Sequence, residues 1–235
     1  MSYPVRTTGA LFLLCLGLAV QSTPAQSESI FPYELGQKFV TEHKVKSVVG
    51  PSVQVDEQGY IALAWMEEGK DVRSVLFARS TQPGGPMGSP VRVNRPEEVP
   101  YWRQEAPALV VQGDEVFVTW GLTPAKATPQ QPFATELRLS RSIAGGRTFA
   151  PSVLVNDDPG VIQHTFDALH RDADGRLQLS WIDGRDGKKD PGTYVARSLD
   201  RGQTVTKNMK VDEGTCVCCR TAITSGPDGM VYVAW

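Results

Sequence analysis

Short apolar runs, each closing on a tryptophan, recur along the chain with polar turns between them. They read Ile61-Ala-Leu-Ala-Trp65, Val116-Phe-Val-Thr-Trp120, Leu177-Gln-Leu-Ser-Trp181 and Val231-Tyr-Val-Ala-Trp235, at intervals of 55, 61 and 54 residues. Ahead of each run stands a turn signal: Asp56-Glu-Gln-Gly59, Gln112-Gly-Asp114, Asp172-Ala-Asp-Gly175 and Pro227-Asp-Gly229. Ahead of each turn is another short β-prone stretch, beginning at Pro51, Pro107, Asp167 and Thr221. The pattern predicts strand, tight turn, strand. A third strand follows in three of the units, over 73–80, 136–142 and 193–198, and each of these closes on Arg-Ser. A repeat of 50 to 60 residues built from such hairpins predicts a radial array of four-stranded sheets.

The repeat divides the chain into units at about 50–100, 101–160, 161–215 and 216–235, the last ending after its second strand. About three and a half units are therefore present, and the expectation is a piece of a larger ring whose remaining sectors lie outside the sequence. Residues 26–49 form an N-terminal segment, in which Gln37 to Val49 is expected to be an outer strand that pairs with the last sector to close the ring. Residues 1–25 read as a signal peptide. The apolar run Ala10 to Val20 follows Arg6 and is shorter than the ~20 residues of a bilayer span, and Thr23-Pro24-Ala25 supplies small residues for cleavage. Cys15 belongs to that run. No other stretch approaches membrane-spanning length, so the expected location is secreted or periplasmic, where disulfides are permitted.

Composition narrows the field further. Lysine and arginine number 24 against 26 acidic residues, for a net charge of −2, which gives no electrostatic footprint for nucleic acid. Hydrophobic residues at 40% suffice for a core, while 22 glycines and 17 prolines interrupt the chain too often for a helical bundle.

The stretch Ser198-Leu-Asp200-Arg-Gly202-Gln-Thr204 resembles the Asp-box, or BNR, repeat Ser-x-Asp-x-Gly-x-Thr-Trp of sialidases, with Val205 at the aromatic position. A second copy keeps Ser142, Gly146, Thr148 and Phe149 but has Ala144 in place of the aspartate, and only Ser80 and Gly84 survive in the first unit. Turn chemistry explains the spacing: the carboxylate accepts backbone N–H groups, glycine permits a positive φ, and the aromatic pins the turn to its sheet. The resemblance runs from Gly50 to Trp235. It implies an all-β, six-bladed β-propeller, and a glycoside hydrolase of exo-sialidase type acting on terminal acidic sugars, with a carbohydrate or glycoprotein as ligand and no required cofactor. It also implies arginines for the substrate carboxylate, an aspartate as acid/base and a glutamate-activated tyrosine as nucleophile.

In such a ring, residues just before each first strand and those between second and third strands meet at one end of the axis. The first set holds Arg103, Glu105, His164, Asp167 and Arg220; the second holds Asp183, Arg185 and Asp186 in Trp-Ile-Asp-Gly-Arg-Asp-Gly. Arg220, Arg185 and Arg103 are the candidates for anion binding, joined by Glu105 and Asp167 in the substrate site, with Asp183 and Asp186 as candidate acid/base groups. Asp183, Arg185 and Asp186 also read as a solvated, self-paired turn, and His164 as a structural residue. The family's Arg-Ile-Pro signature has no counterpart, since the matching segment is Val48-Val-Gly-Pro51-Ser. A non-catalytic glycan- or protein-binding propeller therefore stands as the alternative.

Cys216-Val-Cys218-Cys219 gathers every cysteine beyond the leader into four residues. An odd number of thiols points to a disulfide with a missing sector, or to copper or zinc held by Cys216, Cys218 and Cys219 with His164 as a further ligand. Arg220 stands where haem attachment would require histidine.

Overall fold

Every tryptophan-ended run forms the second strand of an antiparallel sheet. The computed structural model describes residues 47–69, 72–101, 105–187 and 191–235, which all fall within one compact unit, Phe39–Trp235. The leader and residues 26–46 lie outside the described residues.

The first sheet comprises β1 (Ser47–Val55), β2 (Ile61–Glu68), β3 (Arg73–Arg79) and β4 (Val91–Arg92) in that order. The second contains β5 (Ala108–Gln112), β6 (Glu115–Leu122), β7 (Glu136–Ser142) and β8 (Val153–Leu154). The third is built from β9 (His164–Arg171), β10 (Leu177–Asp183), β11 (Gly192–Ser198) and β12 (Met209–Asp212), and the last pairs β13 (Ala222–Ser225) with β14 (Val231–Ala234). All described pairings are antiparallel, and no helix occurs among the described residues. The fold is an all-β partial propeller.

One expectation needs correction. Ser47 to Val49 are not part of an outer, ring-closing strand; they begin β1 and pair with Glu68, Glu67 and Met66 of β2. The register shifts between Val49 and Ser52, at Gly50-Pro51, and the strand continues through this bulge. The rest of the segment expected as that outer strand lies outside the described residues.

The core lies between sheets. Along β6 the pleat sends Val116, Val118, Trp120 and Leu122 into a cluster with Ala62, Ala64, Met66, Val75 and Phe77 of the first sheet. Phe117 points the other way, joining Leu137 and Leu139 against Leu177, Leu179 and Trp181 of the third sheet. Burial of each such leucine or phenylalanine contributes about 1.5–3 kcal/mol, so face-to-face contact of neighbouring sheets holds the array together. Inner strands lie side by side, β1 with β5, β5 with β9 and β9 with β13. Polar ties reinforce them: Val111 N–H donates to Gln54 Oε1 (2.9 Å), and His170 Nε2 meets Ser225 Oγ at 2.8 Å.

The repeated turns also join sheets. Asp200 Oδ1 accepts from Ser198 Oγ (2.9 Å), Gln203 N (3.0 Å) and Thr204 N (2.9 Å), and Oδ2 accepts from Thr204 Oγ1 (2.6 Å). These bonds outweigh burial and hold the Asp200 carboxyl down at about 2. In the copy that lacks the aspartate, Ser142 Oγ alone accepts from Ala144 N and Gly146 N, and Phe149 packs edge-on against Phe77 of the preceding sheet, 5.6 Å between ring centres.

Candidate functional site

Three sheets send one polar residue each to the same end of their inner strands. Glu105 comes just ahead of β5, Asp167 lies within β9, and Arg220 comes just ahead of β13. A bulge aims Asp167: the β9–β10 register shifts opposite Ser180 and Ile182, and Phe166 adopts φ 57°, a left-handed conformation that a bulky side chain rarely takes. The strained residue is anchored on both sides. Its N–H serves the Glu105 carboxyl, while its carbonyl accepts Thr221 N (3.1 Å) and Thr221 Oγ1 (2.9 Å).

Glu105 and Asp167 are almost without solvent, at 3% and 1% exposure. Thr119 Oγ1, from the middle of β6, donates to Asp167 Oδ2, but Asp167 Oδ1 and Glu105 Oε2 have no hydrogen-bond partner. Burial raises both carboxyl pKa values. Glu105 reaches about 8, because the nearby Asp167 charge adds to the desolvation and outweighs Arg220 and the Phe166 N–H. Asp167 is raised by burial against the pull of Arg220 and Thr119. The exposed Arg220 donates to the carbonyls of Asp167 (3.0 Å) and Ala106 (3.1 Å), so its guanidinium bridges the second and third sheets beside the two acids. Near neutral pH the arrangement offers a protonated carboxyl, a second ionisable carboxyl and a fixed cation.

The other candidates gather elsewhere. Asp183 is fully buried and accepts from Trp181 Nε1 (2.8 Å), Arg185 N (2.9 Å) and Arg185 Nη2 (2.8 Å). The first sheet repeats the arrangement, with Trp65 Nε1 donating to Glu67 Oε1 at 2.9 Å. In the second sheet Leu122 takes the carboxylate position, and the Trp120 Nε1 donor is left without a partner. Arg185 further binds Asp157 (2.7 Å) and Asn208 (2.8 Å) and covers the Tyr194 ring, while Asp186 accepts from Tyr194 Oη (2.9 Å). Asp183, Arg185 and Asp186 are thus committed to one another and to the third sheet.

His164 belongs to that same network. Its Nδ1 faces the Thr135 carbonyl and its Nε2 lies 2.6 Å from Asp158 Oδ2 and 3.7 Å from Asp183 Oδ2. Burial opposes its charge, but Asp158, Asp183 and the Thr135 carbonyl outweigh burial and raise its pKa. With both ring nitrogens facing oxygen acceptors, His164 does not join the cysteines as a ligand.

Cys216, Cys218 and Cys219 are exposed free thiols whose sulfurs lie within 4.8 Å of one another, Cys216 and Cys218 at 3.0 Å. Hydrogen bonding from its neighbours lowers Cys216 to about 7, and the same coupling raises Cys219 to about 11. Arg103 lies outside the described residues.

The sequence left Thr119, Asp158 and Phe166 unremarked. Thr119 sits inside an ordinary alternating strand, and nothing local announces a partner 48 residues away. The Asp183 role had a visible cue, since Trp181-x-Asp183 repeats the spacing of Trp65-x-Glu67.

A cleft of about 590 Å³ opens at the turn end of the inner strands, lined by Gln54, Asp56, Gln112, His170 and Asp172 among others. Most of its ionisable groups are engaged: Asp56 with Arg79, Arg171 with Glu115, Asp172 with Arg176 and Gln178, His170 with Ser225. The unpartnered Glu105 Oε2 and Asp167 Oδ1 lie at the other end.

No family model matches the sequence, and no curated protein matches it. Solved structures do resemble the fold. The intramolecular trans-sialidase of Ruminococcus gnavus matches with TM-score 0.55 at 12% identity, over 81% of this chain and 66% of that one. The α-L-arabinanase of Penicillium chrysogenum, in complex with arabinobiose, gives 0.53 at 11% identity over 79% and 58%. Trypanosoma rangeli sialidase, in complex with sialic acid, gives 0.53 at 14% identity over 86% and 36%. The chain spans about two thirds or less of each of these proteins. What unites them with this chain is architecture: the chain carries the sialidase-like β-propeller fold.

Proposed function

We infer that this propeller belongs to a secreted glycoside hydrolase acting on terminal acidic sugars, with Glu105 as general acid, Asp167 as its carboxylate partner and Arg220 as the anchor for the sugar's negative charge. The observation that carries the reading is the pair of buried, incompletely hydrogen-bonded carboxyls set beside an exposed arginine where three sheets converge. A carboxyl with a pKa of about 8 retains its proton at neutral pH and can deliver it to a departing glycosidic oxygen. The partner carboxyl, in its ionised form, stabilises the positive charge that develops on the sugar ring. Asp183 and Asp186, candidates by sequence, are occupied by Trp181, Arg185 and Tyr194, so the acid/base role passes to Glu105 and Asp167.

The test is release of the aryl group from aryl sialoside and aryl arabinoside substrates by the full-length protein. Turnover of the sialoside is expected, with Glu105→Gln lowering kcat by ~100-fold or more and Arg220→Ala acting mainly on KM. Turnover unaffected by Glu105→Gln contradicts the assignment. The near-complete burial of Glu105 and Asp167 favours a second reading, a non-catalytic glycan-binding propeller, which predicts glycan binding without product.

A further inference from the structure

We propose that Cys216, Cys218 and Cys219 form a preorganised three-sulfur site for a soft monovalent cation, Cu(I), in a trigonal thiolate set. This proposal does not depend on the glycosidase reading, because none of the three thiols belongs to the group of Glu105, Asp167 and Arg220.

The turn that bears the thiols is fixed at both ends. Before it, the buried Thr215 donates its N–H to the Pro191 carbonyl (2.8 Å), and its hydroxyl meets Thr193 Oγ1 at 2.9 Å. After it, Arg220 holds two backbone carbonyls and the buried Thr221 bonds Phe166 and Ser180. Within the turn, Cys219 N–H points to the Cys216 carbonyl at 3.4 Å. A four-residue segment pinned this way presents three sulfurs within 4.8 Å of one another and leaves them open to solvent. Little ordering remains to be done when a cation arrives.

The ligand set selects the metal. Thiolate sulfur favours soft cations, and no imidazole or carboxylate belongs to this group. Structural zinc takes four ligands in a tetrahedron, whereas three sulfurs in one short turn suit the trigonal geometry open to Cu(I). The one histidine that the repeat pattern placed nearby is engaged by Thr135 and Asp158. Binding transfers no electron: each thiol that becomes a ligand releases its proton to solvent, and the metal stays Cu(I).

The test titrates the reduced, full-length protein anaerobically with Cu(I) against a coloured Cu(I) chelator, and in parallel with Zn(II) against a zinc indicator. One Cu(I) per chain is expected, with a copper X-ray absorption shell of sulfur alone. One equivalent of Cu(I) is further expected to protect the Cys216–Cys219 peptide from alkylation. Cys218→Ser is expected to weaken Cu(I) binding by more than ~100-fold, beyond the 10–100-fold cost of disturbing an outer partner of a metal ligand. Because the side chains are exposed, that variant should fold; a Cys216→Ser/Cys219→Ser variant, checked by thermal melting, provides a second reading. Failure of the reduced protein to retain copper, unchanged binding in both variants, nitrogen or oxygen ligands in the absorption shell, or tighter binding of zinc than of copper would each overturn the proposal.

Discussion

Replacing Gly146 by alanine tests the sheet-to-sheet contact on which the array depends. Gly146 has φ 83°, and a Cβ built there would lie 1.9 Å from Phe77 Cε1, 2.5 Å from Cδ1 and 2.8 Å from Cζ. Phe77 has no room to retreat: it is 1% exposed and Phe149 lies edge-on against it. The left-handed backbone costs alanine about 1–2 kcal/mol and overpacking a filled core costs about 1–3 kcal/mol, together about 2–5 kcal/mol. Gly113→Ala is the matched control, because its φ is also positive at 58° but no atom lies within 4 Å of the new methyl. It should lose only the backbone part, about 1–2 kcal/mol. Urea unfolding of both variants, compared at equal m-value, gives the two losses directly. If Gly146→Ala costs no more than Gly113→Ala, the turn of the second sheet does not press on Phe77 and the packing described above is wrong.

Other perturbations separate structure from chemistry. Asp158 is held down at about 2, chiefly by His164 against the opposing effect of burial, so its stabilisation is complete above pH ~4 and is lost as pH falls towards 2. His164 has a raised pKa, so its contribution is complete below pH ~6.5 and is lost as pH rises through the folded-state value. Asp158→Asn should flatten the acid limb of a stability-versus-pH curve and His164→Gln the alkaline limb; limbs unchanged in both variants would refute the pairing. Asp183→Ala strips partners from Trp181, Arg185 and His164 at once and should cost about 3–5 kcal/mol in urea unfolding. A loss below ~1 kcal/mol would show that this network is not structural.

How much the sequence disclosed depended on whether a feature carries its own period. The tryptophan-ended hairpins do, and β2, β6, β10 and β14 lie where the alternation placed them. The fourth strands β4 and β8 are two residues each, too short for any alternation, and they form only because a third strand offers them an edge. Ser47–Val49 belongs to β1, because Gly50-Pro51 forms a bulge within that strand and does not end it. Among the candidate site residues, position relative to the inner strands brought Glu105, Asp167 and Arg220 into view. Charge on a glycine-rich loop drew equal attention to Asp183 and Asp186; the Trp181 partner of Asp183 is cued by the Trp-x-acid spacing, whereas the Tyr194 partner of Asp186 becomes apparent only when strands are paired. Burial, which gives Glu105 its raised pKa, has no local signature in a loop that reads simply as polar.

The most direct measurement is the carboxyl NMR titration of Glu105 in the wild type and in Asp167→Asn. Glu105 precedes β5 while Asp167 lies in β9, and the side-by-side placement of these inner strands brings them close enough to sense each other's charge. The account predicts that Glu105 titrates near pH 8 in the wild type and at lower pH once Asp167 is neutral. A Glu105 titration near the ordinary glutamate value, unmoved by Asp167→Asn, would contradict both the convergence of the inner strands and the site assigned there.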